Sequence, residues 1–177
     1  MERLYFAPVE SEFGRLWALN TSDGLARLVL PSSYRRSVDP GPSILLRWRD
    51  RYAPDHYLME SPTRFRDLQK WLKQYSEGFI PDVEIPIDLK GTPFQQKVWE
   101  VVTRIPYGNT ITYGLVSRKL RKKSSSARAV GSAVGSNPVP LVVPCHRVIG
   151  ESGKLVGFGG GLKMKQDLLR REGILLL

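Results

Sequence analysis

The sequence predicts a two-domain α/β protein, strand-first in its N-terminal half and mainly helical in its C-terminal half. Three observations carry this. The first 30 residues are apolar runs separated by turn signals. Helical spacing first appears near Thr63 and becomes frequent after Thr92. The charge is also divided. Residues 1–90 hold 13 Lys and Arg against 13 Asp and Glu, whereas residues 91–177 hold 14 against 4, an excess equal to the whole net charge of +10. A domain boundary is expected between residues 85 and 86. The basic half points to a polyanion partner, nucleic acid first among them, with a solubilising surface as the alternative.

Taken in order, Leu4–Val9, Phe13–Leu19 and Leu25–Leu30 read as a β-meander, broken at Glu10–Glu12 and Asn20–Gly24. Residues 31–62 are rich in Pro, Ser and Arg and carry no assignable element; Arg47, Arg49 and Arg51 there read as a solvated face. Phe65, Leu68, Leu72 and Tyr75 recur at helical spacing, so a helix is expected over Thr63–Glu77, closed by Gly78. Phe79–Lys90 reads as a connection with a short β-like piece, Val83–Ile87. Thr92 and Pro93 form an N-cap and first-turn pair opening a helix over Phe94–Ile105, with Phe94, Val98, Val101 and Val102 on one side. Thr112 caps a helix over Tyr113–Leu120, the Arg121–Ser126 stretch turns and caps a third over Ala127–Gly135, and a last helix covers Leu162–Arg171.

No run approaches the roughly 20 apolar residues of a membrane helix. The N-terminus lacks a signal-peptide layout, and one cysteine forms no internal disulfide. An intracellular, cytoplasmic location is the expectation. His56 is the only metal-ligand type of its kind in an N-terminal half without cysteine, so no metal site is expected there.

The helices over 113–135 fit a helix-turn-helix in a basic segment. The second reads Ala127-Arg128-Ala129-Val130-Gly131-Ser132-Ala133-Val134-Gly135, small residues with one long cation. A smooth helix permits the close approach a narrow minor groove demands, and Arg128 could enter a base stack. A packed core helix with Arg128 as a surface charge is the other reading. Cys145 follows, with Pro138, Pro140 and Pro144 ahead of it as a rigid support and His146 beside it. In an extended segment their side chains point to opposite sides, so direct contact is not required and a bridging water could relay a proton between them. Glu172 is a carboxylate available to fix the imidazole.

Pro144-Cys145-His146-Arg147-Val148 resembles the active-site signature of the O6-alkylguanine-DNA alkyltransferases, the methylated-DNA–protein-cysteine methyltransferases. The resemblance extends through Gly91-Thr92-Pro93-Phe94-Gln95, Ile105-Pro106-Tyr107-Gly108, Thr112-Tyr113, Ala127-Arg128-Ala129-Val130-Gly131, Asn137-Pro138, the glycine-rich 157–161 and Glu172-Gly173. It implies a ribonuclease-H-like N-terminal domain (1–85) and a winged-helix-like DNA-binding and alkyl-acceptor domain (86–177). It further implies base flipping through the minor groove of double-stranded DNA and irreversible transfer of an alkyl group from O6-alkylguanine to Cys145, with O4-alkylthymine a further candidate lesion. By the same resemblance Cys145, His146 and Glu172 form the proton relay. Tyr113 assists rotation and donates a hydrogen bond to the purine as it departs, and Asn137 braces the turn. Arg128, with Ala127, Ala129, Gly131 and Tyr113, meets DNA. Val148, Val156, Gly157, Phe158, Gly159 and Gly160 line the base pocket. Phe158 stands where relatives often have tyrosine. No cofactor, membrane or protein partner is implied, and a monomer in solution is expected.

Kinetic arithmetic limits what thiol activation can contribute. A thiol with a pKa of about 8.5 is about 3% thiolate at pH 7. Lowering that pKa by about two units gains about 25-fold in thiolate and loses about eightfold in nucleophilicity. Positioning of the alkyl carbon and protonation of the leaving base must therefore supply most of the rate.

Overall fold

The computed structural model describes residues 2–31, 39–120 and 127–174. They divide into two compact units, Met1–Lys90 and Gly91–Leu177. The division falls after Lys90 rather than after residue 85 because the stretch beyond Ile85 pairs backward. Leu25 N–H donates to Pro86 O (2.8 Å) and Asp88 N–H to Leu25 O (3.0 Å).

The N-terminal unit is a four-stranded sheet with helices, as the α/β reading requires. Strands β1 (Arg3–Ser11), β2 (Gly14–Asn20) and β3 (Leu25–Val29) form the expected meander. A fourth strand, β4 (Tyr57–Glu60), pairs parallel to β1, giving the order β3-β2-β1-β4. The hairpin between β1 and β2 closes at Gly14, whose φ of +96° suits glycine. Helix α1 (Gly41–Tyr52) packs Leu45 and Trp48 onto Leu4, Leu19 and Val29. Both α1 and β4 lie in the stretch that carried no assignable element. Only Gly41, Leu45 and Trp48 of α1 are buried, and its arginines mask the period. The helix expected over Thr63–Glu77 is a short 3₁₀ turn, Pro62–Phe65, running into α2 (Arg66–Ser76), and its four periodic residues are all buried. Val83–Ile87 forms no strand; only Ile87 bridges to Leu25, in keeping with prolines at 81 and 86 that cannot donate to a ladder.

In the C-terminal unit, α3 (Pro93–Thr103) opens with a complete capping box: Gln95 N–H donates to Thr92 Oγ1 (3.2 Å) and Thr92 N–H to Gln95 Oε1 (2.9 Å). Its buried stripe is Val98, Trp99 and Val102; the side expected from sequence omitted Trp99 and included the half-buried Phe94 and Val101. Trp99 Nε1–H donates to Ala133 O (2.8 Å), locking α3 against α5 (Ala127–Gly135). Between them α4 (Tyr113–Lys119) is capped by Thr112, whose Oγ1 accepts from Leu115 N–H (3.1 Å). A two-residue parallel pair, β5 (Ile111–Thr112) with β6 (Val148–Ile149), ties the start of α4 to the segment after Cys145. Helix α6 (Gly161–Arg171) closes the chain. The expected turn and cap over Arg121–Ser126 lie outside the described residues.

Because Trp99 both fills the core and bonds to α5, Trp99→Ala is expected to cost about 3–5 kcal/mol of unfolding free energy in urea denaturation. Trp99→Phe, which keeps most of the volume, should cost about 1–2 kcal/mol.

Candidate active site

The segment leading to Cys145 is shaped by one buried amide. Asn137, two residues after α5 (Ala127–Gly135), donates from Nδ2 to Val143 O (2.9 Å) and accepts at Oδ1 from Val139 N–H (3.0 Å). Between these contacts Leu141 sits at φ +76°, uncommon for a residue with a Cβ and held by the loop around it. The chain then turns instead of extending. Cys145–Arg147 is a 3₁₀ turn, closed by Arg147 N–H to Pro144 O (2.9 Å). The extended geometry expected for Cys145 and His146 is therefore absent, since Pro144 at ψ 63° has already bent the backbone. All three side chains of the turn are buried.

Glu172, immediately after α6, is the hub. Its Oε1 lies 2.8 Å from His146 Nε2 and its Oε2 accepts from Gly108 N–H (3.1 Å). Arg147 grips the same carboxylate through Nε (2.9 Å to Oε2) and Nη2 (3.0 Å to Oε1), while its Nη1 donates to Ile105 O (2.6 Å). A carboxylate facing an imidazole nitrogen requires the proton on Nε2, which makes Nδ1 the basic nitrogen of neutral His146. Burial pushes the His146 imidazole below its ordinary range, opposed by the hydrogen bond and charge of Glu172 and reinforced by Arg147 and Lys165. We read the resting imidazole as neutral, because Arg147 already spends much of the carboxylate's charge.

Burial likewise pushes the Cys145 thiol up, against the side chain of Asn137, the charge of Lys165 and two backbone N–H groups. Thiol, not thiolate, is the resting form. Lys165 was not singled out from sequence, yet it is fully buried. Its Nζ donates to Val148 O (2.6 Å), Val156 O (2.9 Å) and Gly157 O (3.4 Å), and burial lowers its pKa to about 8. Tyr113 Oη donates to the same Val156 carbonyl (3.3 Å). Its phenol is pushed up by burial first and by Cys145 second.

Two donors thus tie the 156–157 loop back toward Val148 and α4. Val148 is buried, Val156, Gly157 and Gly159 are exposed, and Phe158 turns its ring edge-on to His146 with centroids 6.4 Å apart. A side chain at the buried Gly160 would press on Phe158 and Met164. On α5, Ala127 and Arg128 are exposed at the first turn, Ala129 and Gly131 are half-buried, and a Cβ at Gly131 would just touch the Tyr113 ring. Among the described residues no cluster of His, Cys, Asp and Glu could hold a metal ion, and no helix is long and apolar enough to cross a membrane.

The same residues align with known proteins. Residues 93–174 match the family described as 6-O-methylguanine DNA methyltransferase, DNA binding domain. A methylated-DNA–protein-cysteine methyltransferase of Shigella flexneri is 36% identical over 178 aligned positions, covering 100% of both chains. The chain belongs to the methylated-DNA–protein-cysteine methyltransferase family. One from Mycolicibacterium paratuberculosis is 47% identical over 113 residues, 64% of this chain and 68% of that one. The crystal structure of Mycobacterium tuberculosis OGT in complex with DNA superposes with a TM-score of 0.77 at 33% identity, covering 95% of this chain and 92% of that one. Methyltransferases of this family therefore share the two-unit α/β fold found here.

Two outcomes test the hub. Arg147→Met leaves a buried carboxylate without its cation and should cost about 3–5 kcal/mol in denaturant unfolding. His146 is depressed in the folded state, so its contribution is fully present above its unfolded value of about 6.5 and is lost as pH falls below it. Between pH 7 and pH 5 the wild type should therefore lose more stability than His146→Gln, measured in parallel denaturation series.

Proposed function

We propose that this protein reverses alkylation of guanine in double-stranded DNA, moving the alkyl group from O6-alkylguanine to Cys145 Sγ once per molecule. O4-alkylthymine, which presents the same alkyl ether, is a second lesion of the class. The observation that carries the reading is the buried cysteine followed by a buried histidine whose Nε2 is anchored on an Arg147-bound carboxylate. A hydrolase would use the same trio, but family membership and the small-residue helix with Arg128 favour a DNA substrate.

The target oxygen of a paired, stacked guanine is out of reach of a buried thiol, so the nucleotide must leave the stack. Arg128, exposed on the first turn of α5, takes the vacated place, and the small faces of Ala127, Ala129 and Gly131 allow the helix to approach the minor groove. The extruded base enters between Val148 and the 156–160 loop, with Tyr113 at one wall. Asn137 keeps the Cys145 turn in place.

The thiol gives its proton to His146 Nδ1, directly or through one water, and Glu172 holds the resulting imidazolium. As the Sγ–carbon bond forms, the carbon–O6 bond breaks and its electron pair goes to the guanine. Tyr113 Oη supplies a proton to the purine and regains one from solvent; the proton lost by the thiol balances the one gained by guanine. The raised thiol pKa means that little thiolate exists before the base arrives. Alignment of the alkyl carbon and leaving-group protonation must provide the acceleration. The product is a thioether with no route back, which makes the reaction stoichiometric. The protein needs no cofactor for these steps, and it acts as a cytoplasmic monomer on DNA.

Duplex DNA with one isotope-labelled O6-methylguanine should leave a stoichiometric label on Cys145 in peptide mass spectrometry, and none in Cys145→Ala. Binding to the lesion without transfer would overturn the repair reading and leave a damage sensor. With the same substrate, His146→Gln and Tyr113→Phe should each slow single-turnover transfer by about 10²-fold or more. The wild-type rate should already be level at neutral pH and fall only below the ordinary imidazole range, because burial lowers the pH at which His146 stops accepting a proton.

A further inference from the structure

The N-terminal unit contains a guanidinium that neither its core nor its ion pairs explain. Arg27 lies on β3 opposite Leu19 in the strand register, on the sheet face that α1 covers. Its Nε is shielded from solvent without a hydrogen-bond partner, and so is Nε1 of neighbouring core residue Trp48. Arg27 as a whole is only part-buried, and none of its guanidinium nitrogens has a hydrogen-bond or ion-pair partner among the described residues. Burial pushes its pKa down, Tyr52 raises it and the like charge of Arg47 lowers it further.

The helix arranges the neighbours. Arg47 and Arg51, and Trp48 and Tyr52, are each four residues apart and so share one side of α1. The Trp48 and Tyr52 rings lie 5.4 Å apart, and the Arg51 guanidinium sits 5.2 Å above the Tyr52 ring. Among the described residues, Arg49 alone of the α1 arginines has a carboxylate partner, its neighbour Asp50. The unit as a whole is charge-balanced. Its cations are therefore gathered here by placement, not by composition. A part-buried guanidinium with a shielded Nε, the like charge of Arg47 acting on it and no carboxylate partner among the described residues is unfavourable as it stands. A multivalent oxyanion relieves all of this at once, accepting in the planar fork geometry that guanidinium presents.

We propose that Arg27 and Arg47, bordered by Arg51 and the Tyr52 ring, form an oxyanion site for a phosphate group, supplied either as free phosphate or as the phosphodiester of DNA. The site lies wholly in the N-terminal unit and does not depend on alkyl transfer. Two arms separate the sources. Thermal unfolding in phosphate against chloride at matched ionic strength should show a saturable rise in Tm of a few degrees, absent in Arg27→Met and Arg47→Met. Binding of a short unmodified duplex, followed by anisotropy across a salt series, should show a log–log slope smaller by about one for each arginine removed. A phosphate response lost in the variants assigns the free anion; a lost salt increment without a phosphate response assigns the DNA backbone. If Arg47→Met, an exposed substitution that leaves the core intact, matches the wild type in both arms, the proposal is wrong.

Discussion

Everything near Cys145 depends on one buried carboxylate. Glu172 draws donors from two separated stretches, Gly108 in the turn after α3 and His146 with Arg147 in the cysteine turn, and stands itself on a third, at the end of α6. A buried ion is costly alone and tolerable only when its lone pairs are filled. That condition fixes the positions of all three stretches together. Tyr107 extends the same network, with its ring 5.7 Å from the Arg147 guanidinium and its hydroxyl donating to Arg171 O (3.0 Å). Orientation of the imidazole is thus a property of the whole C-terminal unit.

Lys165 plays the complementary part on the other side of the cysteine. Its three carbonyl contacts hold Val148 and the 156–157 loop at fixed separation, while the loop itself remains exposed and glycine-rich. The site therefore pairs a rigid, fully bonded carboxylate side with a wall tethered through Lys165 and the Tyr113 hydroxyl. Shape is stored in the tether, and chemistry in the hub.

Much of this was legible in the sequence. The meander, the Thr92 and Thr112 caps and the small-residue helix follow from local signals that tertiary packing did not override. Cys145, His146 and Glu172 were recognisable from residue type and motif. Arg147 and Lys165 were not given roles, because in a half so rich in cations an inward-turned base looks like an outward one. The one signal was spacing: Lys165 precedes the buried Leu168 and Leu169 by three and four positions on α6. Helix α1 stayed hidden for the same reason, since arginines at 47, 49 and 51 break up a period carried by only Leu45 and Trp48. The turn at Cys145 has no local signal, because the bend belongs to Pro144 and to Asn137's grip on the segment.

The raised pKa of the thiol has a bearing on the protein's life between encounters. Peroxides and stray electrophiles in a cell react with thiolate far faster than with thiol. A reagent that is consumed by its first reaction has to survive intact until the proper partner arrives. Keeping Cys145 protonated and out of solvent gives up idle reactivity in exchange for shelf life.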